Sequence, residues 1–212
     1  MKKLTKNEQW KIGHKKWKVG KISDRGFWVG EEVKCQHSSD NHLAKGISSF
    51  LTLKNAKSVL DFGCGHGAYV YRLREDGFEC FGYDGNPSTL EIIEQKLGNK
   101  AKGLPCKVLD LTKSFSVNKG DWVLCLEVGE HIPEKYEEIL IENIHKHNRH
   151  GIILSWAVPG QGGFGHVNCR SNEYIKNKFL KLGYWNNIEA EKEIRESAQK
   201  EWFKNTVMVF ER

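Results

Sequence analysis

From residue 41 onward the apolar positions fall into two alternating spacings. Residues 41–53 place apolar side chains at 43, 47, 50 and 51, which is the period of a helix with one buried face. Compact apolar runs and helical periods then take turns: strand 58–62, helix 67–76, strand 79–83, helix 87–97 and a strand near 106–109. A strand at 122–126, a helix near 134–146 and a strand at 151–155 follow. Helix 171–182 is amphipathic, with Gly183 as its stop signal. The chain ends as strand 184–188, a charged helix over 190–200 and strand 205–211. Strands separated by helices predict an α/β fold, an open and mostly parallel sheet with helices on both faces. The last two strands are expected to add an antiparallel hairpin at one edge. No internal repeat or low-complexity linker interrupts the pattern. It divides the chain into a tail (1–21), an N-terminal segment and helix (22–54) and an α/β body (55–212).

Composition changes this picture in two ways. A chain of 212 residues with 39% hydrophobic content can bury a sizeable core. No apolar run approaches the roughly 18 residues of a membrane span, and no apolar segment follows the N-terminal charges as a secretory signal requires. The six cysteines (35, 64, 80, 106, 125 and 169) include no C-x-x-C pair. That scatter suits a reducing compartment and a cytoplasmic protein. The net charge of +6 is concentrated: residues 1–21 hold eight lysines and one glutamate, which leaves the rest of the chain near neutral. Such a tail is either a solvated arm or, with Trp10 and Trp17 among the lysines, a contact for nucleic acid or another anionic surface.

In sheets of this class a ligand lies at the carboxyl ends of the strands, and the candidate chemistry of this chain collects there. Strand 58–62 runs into Gly63-Cys64-Gly65-His66-Gly67, whose alternating glycines allow a tight turn and close approach of a ligand to the backbone. Asp84 ends the next strand, 21 residues after Gly63, where a carboxylate can accept hydrogen bonds from two ribose hydroxyls. Asp110, followed by Leu111, ends the third strand, and Asp61 lies just before the turn. Each aspartate is also an ordinary turn or cap residue by type.

The G-x-G-x-G after an apolar strand resembles motif I of the class I S-adenosylmethionine-dependent methyltransferases, over residues 55–212. The resemblance implies a Rossmann-like, seven-stranded sheet with an antiparallel C-terminal edge strand. It also implies cofactor contacts at Asp61, Gly63, Cys64, Gly65, Gly67, Asp84, Asp110 and Leu111. Asp61 would orient the methionine end and Asp110 would read the adenine amino group.

After the fourth strand, Glu127, Glu130 and His131 stand at i, i+3 and i+4, so a helical turn would place all three on one face. Two carboxylates and an imidazole, with His166 as a fourth donor from the next strand end, suit Mg²⁺ or Mn²⁺ better than zinc. The alternative makes Glu127 a cofactor or packing contact, Glu130 a helix-start carboxylate and His131 a cap. This E-x-x-E-H with a distant histidine resembles the metal site of the plant small-RNA terminal 2′-O-methyltransferases, and the ubiquinone-pathway O-methyltransferases are similar at the same turn. In that group the ion binds the acceptor oxygen. The same four residues are therefore the catalytic candidates, with His131 or His166 as a general base if no metal is used.

A long glycine-rich loop, 155–168, follows the fifth strand, and loops of that length are usually functional or disordered. Trp156, Gln161 and Asn168 in it, with Trp28 and His37 from the N-terminal segment, are the substrate candidates. Aromatic faces beside amides suit a sugar, although Trp156 is equally a core residue by type. His145, His147 and His150, at a predicted helix end, read as dipole-complementing residues. The strings at 126–133, 155–163 and 202–206 resemble those of short, stand-alone methyltransferases of bacteria and of large DNA viruses infecting algae. Some of these are linked to O-methylation of deoxyhexoses such as rhamnose. That resemblance implies a metal-assisted sugar O-methyltransferase with a glycan acceptor. An RNA 2′-O-methyltransferase and a catalytically silent cofactor-binding subunit are the rival readings.

Overall fold

The computed structural model describes residues 21–29 and 38–212. Of the expectations above, the tail up to residue 20, Cys35 and His37 lie outside the described residues. A two-stranded hairpin comes first, β1 (Lys21–Ile22) against β2 (Trp28–Val29). Helix α1 (Asn41–Leu53) leads into the main sheet. There the chain runs β3 (Ser58–Phe62), α2 (Ala68–Glu75), β4 (Glu79–Asp84), α3 (Thr89–Leu97), β5 (Cys106–Val108) and β6 (Gly120–Cys125). It continues α4 (Glu137–Lys146), β7 (Asn148–Ser155), α5 (Asn172–Lys181), β8 (Trp185–Asn186), α6 (Ile188–Ser197), α7 (Glu201–Thr206) and β9 (Val207–Glu211).

The seven strands stand in the order β5-β4-β3-β6-β7-β9-β8. β5 to β7 are parallel, and β9 pairs antiparallel with both β7 and β8. This is the Rossmann-like sheet expected from the strand–helix alternation, with its antiparallel C-terminal strand at that margin. Successive side chains of a strand point to opposite faces, and the core divides accordingly. Val59, Leu124, Ile153, Val207 and Val209 face a cluster with Leu43, Ile47 and Ile194. Leu60, Val123, Ile152, Met208 and Phe210 face a second cluster with Leu140, Ile144 and Phe179.

Two elements depart from the sequence expectation. The charged helix expected over 190–200 is α6, which stops at Ser197, and a further helix, α7, follows and takes residues 205 and 206 from the expected last strand. Asp40 explains the break: its Oδ2 accepts the backbone N–H groups of Gln199 and Lys200, both at 2.8 Å, while Oδ1 caps α1. A segment whose N–H groups point sideways to a carboxylate cannot continue a helix ladder. Likewise, 126–133 is not a helical turn. His131 and Ile132 close back on Val128 and Gly129 in tight turns, and Glu127 sits in the left-handed region at φ 54.

The sheet changes direction between β3 and β6, whose neighbouring carboxyl ends carry the glycine turn and the Glu127–His131 turn. The fold therefore sets these two segments opposite each other.

Candidate active site

A cavity of about 420 Å³ opens at this switch point. The glycine turn forms one wall. Gly63 and Cys64 donate their backbone N–H groups to the Tyr83 carbonyl at 2.7 and 3.1 Å. Gly63, Gly65 and Gly67 all have positive φ, and a methyl group on Gly63 would lie 2.2 Å from Val128 Cγ2. Only glycine lets the turn pass this close to the opposite one.

Asp84 is held from two sides: Oδ2 accepts from Gly65 N–H at 2.9 Å and Oδ1 from Asn86 N–H at 2.8 Å. Each oxygen keeps a second lone pair toward the cavity. Asp110 Oδ1 accepts from Thr112 N–H and Oγ–H at 3.0 and 2.6 Å, and Oδ2 faces Arg25 Nη1 at 3.5 Å. Leu111 lies beside it on the cavity wall. Asp61 is buried and lines the cavity, and its Oδ2 has no hydrogen-bond partner among the described residues. Burial, and secondarily the charge of Asp84, push its pKa up to about 8.

The opposite wall carries the glutamates. Glu130 is fully buried, and among the described residues neither carboxylate oxygen has a hydrogen-bond partner. Its own N–H and that of Ala157 lean toward the carboxylate without forming well-aligned bonds. Burial, with the neighbouring Glu127 charge, holds its pKa well above the usual carboxylate range. Two imidazoles approach it: His131 Nε2 stands 3.8 Å and His166 Nε2 3.9 Å from Oε1. One donor atom from each of these three residues fits within 4.8 Å of the others. His166 arrives from far along the chain because the Glu130 carbonyl accepts the N–H groups of Val167 and Asn168 at 2.8 and 2.9 Å. Its Nδ1 lies 3.2 Å from the Gln161 carbonyl. An Nδ1–H donated there leaves the Nε2 lone pair facing Glu130. Burial lowers the His166 pKa, and the Gln161 carbonyl partly counters it.

Glu127 does not join this group. Its carboxylate accepts from Ser155 Oγ–H at 2.9 Å, Gln161 Nε2–H at 3.0 Å and Thr206 Oγ–H at 3.4 Å, while its own N–H donates to Ser155 Oγ at 2.8 Å. Burial raises its pKa, and these three donors oppose the rise. With 126–133 in turns, Glu127 leaves the shared face that a helix would have given it. Ser155 and Thr206, which fix it, escaped the sequence reading because a strand-end hydroxyl has no signature of its own.

The acceptor candidates separate. Trp28 lines the cavity, its ring edge-on to His131 at 5.5 Å, and Phe164 and Gln161 also line it. Trp156 and Asn168 do not. Trp156 is fully buried and donates Nε1–H to the Asn168 carbonyl at 2.7 Å. Asn168 is buried too and donates its amide to Glu137 at 2.9 Å. Both hold the loop rather than face a substrate, since an indole beneath a turn is ordinary core packing. Arg25 and Phe27, which sequence reasoning passed over, also line or latch the cavity.

The comparisons agree with this arrangement. Magnesium protoporphyrin IX methyltransferase (ChlM) from Synechocystis PCC 6803, solved with bound SAM, superposes with a TM-score of 0.60 at 18% identity, covering 96% of this chain and 91% of that one. The methyltransferase domain of a bacterial Hen1, CtHen1, gives 0.58 at 19% identity, over 81% and 97%. The O-methyltransferase segment of StiE gives 0.54 at 20%, over 81% and 72%. At these identities the likeness is one of fold. Comparison with curated protein sequences gives no match. A family model described as a methyltransferase domain matches residues 35–203. With most of its length under that model and its cavity at the switch point of the same fold, the chain belongs to the methyltransferase domain family.

Proposed function

We propose that the protein is an S-adenosylmethionine-dependent O-methyltransferase that uses a divalent cation to methylate a sugar hydroxyl on a glycan. The single observation that carries the metal-assisted reading is Glu130, a buried carboxylate with two unpartnered oxygens beside two imidazoles. A buried, unpaired carboxylate costs stability unless something positive completes it. Oxygen and nitrogen donors without a thiolate among them suit Mn²⁺ or Mg²⁺. The cofactor fits by a parallel test: the positive-φ glycine turn leaves room for a ligand on its backbone, and Asp61 and Asp84 offer acceptor lone pairs on the same cavity.

S-Adenosylmethionine supplies a methyl group on a positive sulfonium, and a divalent cation, when bound, makes an alcohol proton easier to lose. The protein's part is largely positioning. Asp84, oriented by Gly65 and Asn86, holds the ribose, and Asp110 with Leu111 frames the base. Asp61 presents an acceptor to the methionine end. Glu130, His131 and His166 would hold the cation, the Gln161 carbonyl fixing His166 so that Nε2 faces Glu130. Glu127 is locked in place by Ser155, Gln161 and Thr206, and serves to fix the turn that carries Glu130. Trp28 and Phe164 offer flat faces for a pyranose ring and Gln161 a directional amide.

Methyl transfer from labelled S-adenosylmethionine to a rhamnose-bearing oligosaccharide, with Mn²⁺ or with excess chelator, tests this reading. Transfer abolished by chelator is the expected result. Transfer that survives chelation moves the chemistry to a histidine base, and transfer only to RNA ends replaces the glycan with a nucleic acid.

A further inference from the structure

The hairpin at 21–29 spans the cavity by three separate contacts, two at its Asp84–Asp110 side and one on the His131 turn opposite. Arg25 Nη1 donates to Thr112 Oγ1 at 3.0 Å and faces Asp110 Oδ2 at 3.5 Å, with its guanidinium over the Tyr136 ring at 5.3 Å. The Phe27 ring packs so closely on Gly85 that a methyl group there would meet it at 2.7 Å. Gly26 rests on the backbone of His131, where a methyl group would lie 2.1 Å from the carbonyl oxygen. The hairpin turn is itself closed by Ser23 N–H to the Phe27 carbonyl at 2.9 Å. Phe27 thus lines the cavity just after Asp84, with Asp110 and Leu111 at the same end. A half-buried aromatic ring on the cavity wall beside the Asp84 and Asp110 carboxylates offers an apolar face that suits the flat face of a purine.

We propose that Phe27 is a stacking wall for the purine base of the cofactor and that Arg25, latched on Asp110 and Thr112, holds this strap closed over it. The inference rests on the cofactor reading above and adds two binding residues to it. Base–aromatic stacking removed by alanine substitution weakens binding by about tenfold or more. The latch is a partly exposed ion pair and is worth less.

Calorimetric titration of the full chain with S-adenosylhomocysteine is the test. Phe27→Ala is expected to weaken binding about tenfold and Arg25→Gln about threefold. Saturating S-adenosylhomocysteine should also slow tryptic cleavage after Arg25, followed by mass spectrometry. Should Phe27→Ala fail to fold, Phe27→Leu keeps the apolar bulk without the flat face, and weaker binding is again expected. Wild-type binding with unchanged affinity in the Phe27 variant, or with no protection at Arg25, overturns the strap alone. No binding by the wild type removes the cofactor reading and the strap together.

Discussion

Glu130 and Glu137 stand seven positions apart, are both buried, and face opposite fates. Glu137 accepts hydrogen bonds from Tyr174 Oη, Asn168 Nδ2 and Arg170 Nε at 2.6, 2.9 and 2.7 Å. Those donors outweigh burial and hold its pKa below the usual range. Glu130 has no hydrogen-bond partner on either oxygen, and burial drives its pKa up. A carboxylate surrounded by donors contributes to the fold, whereas one left bare is kept at the expense of the fold. The contrast is what supports the proposed cation site at Glu130 without appeal to any relative.

The largest effect that would break the comparison is on catalysis. Glu130→Gln should lower methyl transfer by about a thousandfold (about 4 kcal/mol) with no loss of thermal stability, because it replaces one buried, unbonded polar group by another of the same shape. Equal activity in a radiolabel assay would reduce Glu130 to packing. The complementary change, Glu137→Ala, strands Arg170, Asn168 and Tyr174 and should cost about 2–3 kcal/mol in urea denaturation, with turnover per folded molecule kept.

Mn²⁺ at about a hundred times its dissociation constant should stabilise the wild type by about 2.7 kcal/mol in thermal melts. That stabilisation should vanish in Glu130→Gln and His166→Ala but persist in Glu137→Gln. The pH dependence is a smaller effect. Asp61 has a folded pKa near 8, above its ordinary 3.8. The folded state therefore keeps a proton that the unfolded chain loses, and stability falls as pH rises from about 4 to 8. Asp61→Asn should match the wild type in acid and melt at a higher temperature than the wild type above pH 8. Glu137 runs the opposite way: its lowered pKa gives stability that is present above about 4.5 and lost on acidification.

Much of the fold was legible because strand and helix periods differ so plainly along 58–155, and glycine spacing marked the first turn. What escaped depended on tertiary partners. Nothing local announces that Asp40 will break a helix near residue 198, or that Ser155 and Thr206 will draw Glu127 away from His131. Glu130, His131 and His166 do lie together, but the local geometry at 126–133 differs from the helical turn expected, since i, i+3, i+4 spacing implies a shared face only within a helix. Trp156 and Asn168 were misplaced for a related reason: aromatic and amide side chains serve a binding surface and a buried brace equally well.

Trp156 has a consequence of its own. Its ring fills the space beneath Gly129, where even a methyl group would meet it at 2.3 Å. Glu130 and His131 follow directly in the chain, so the turn that carries them is seated on an indole as on a bearing. Any side chain added at Gly129 has to lift that turn or push the indole aside. Both positions should therefore tolerate change poorly, although neither lines the cavity. The height of this wall of the cavity is set from below, by a residue the cavity never meets.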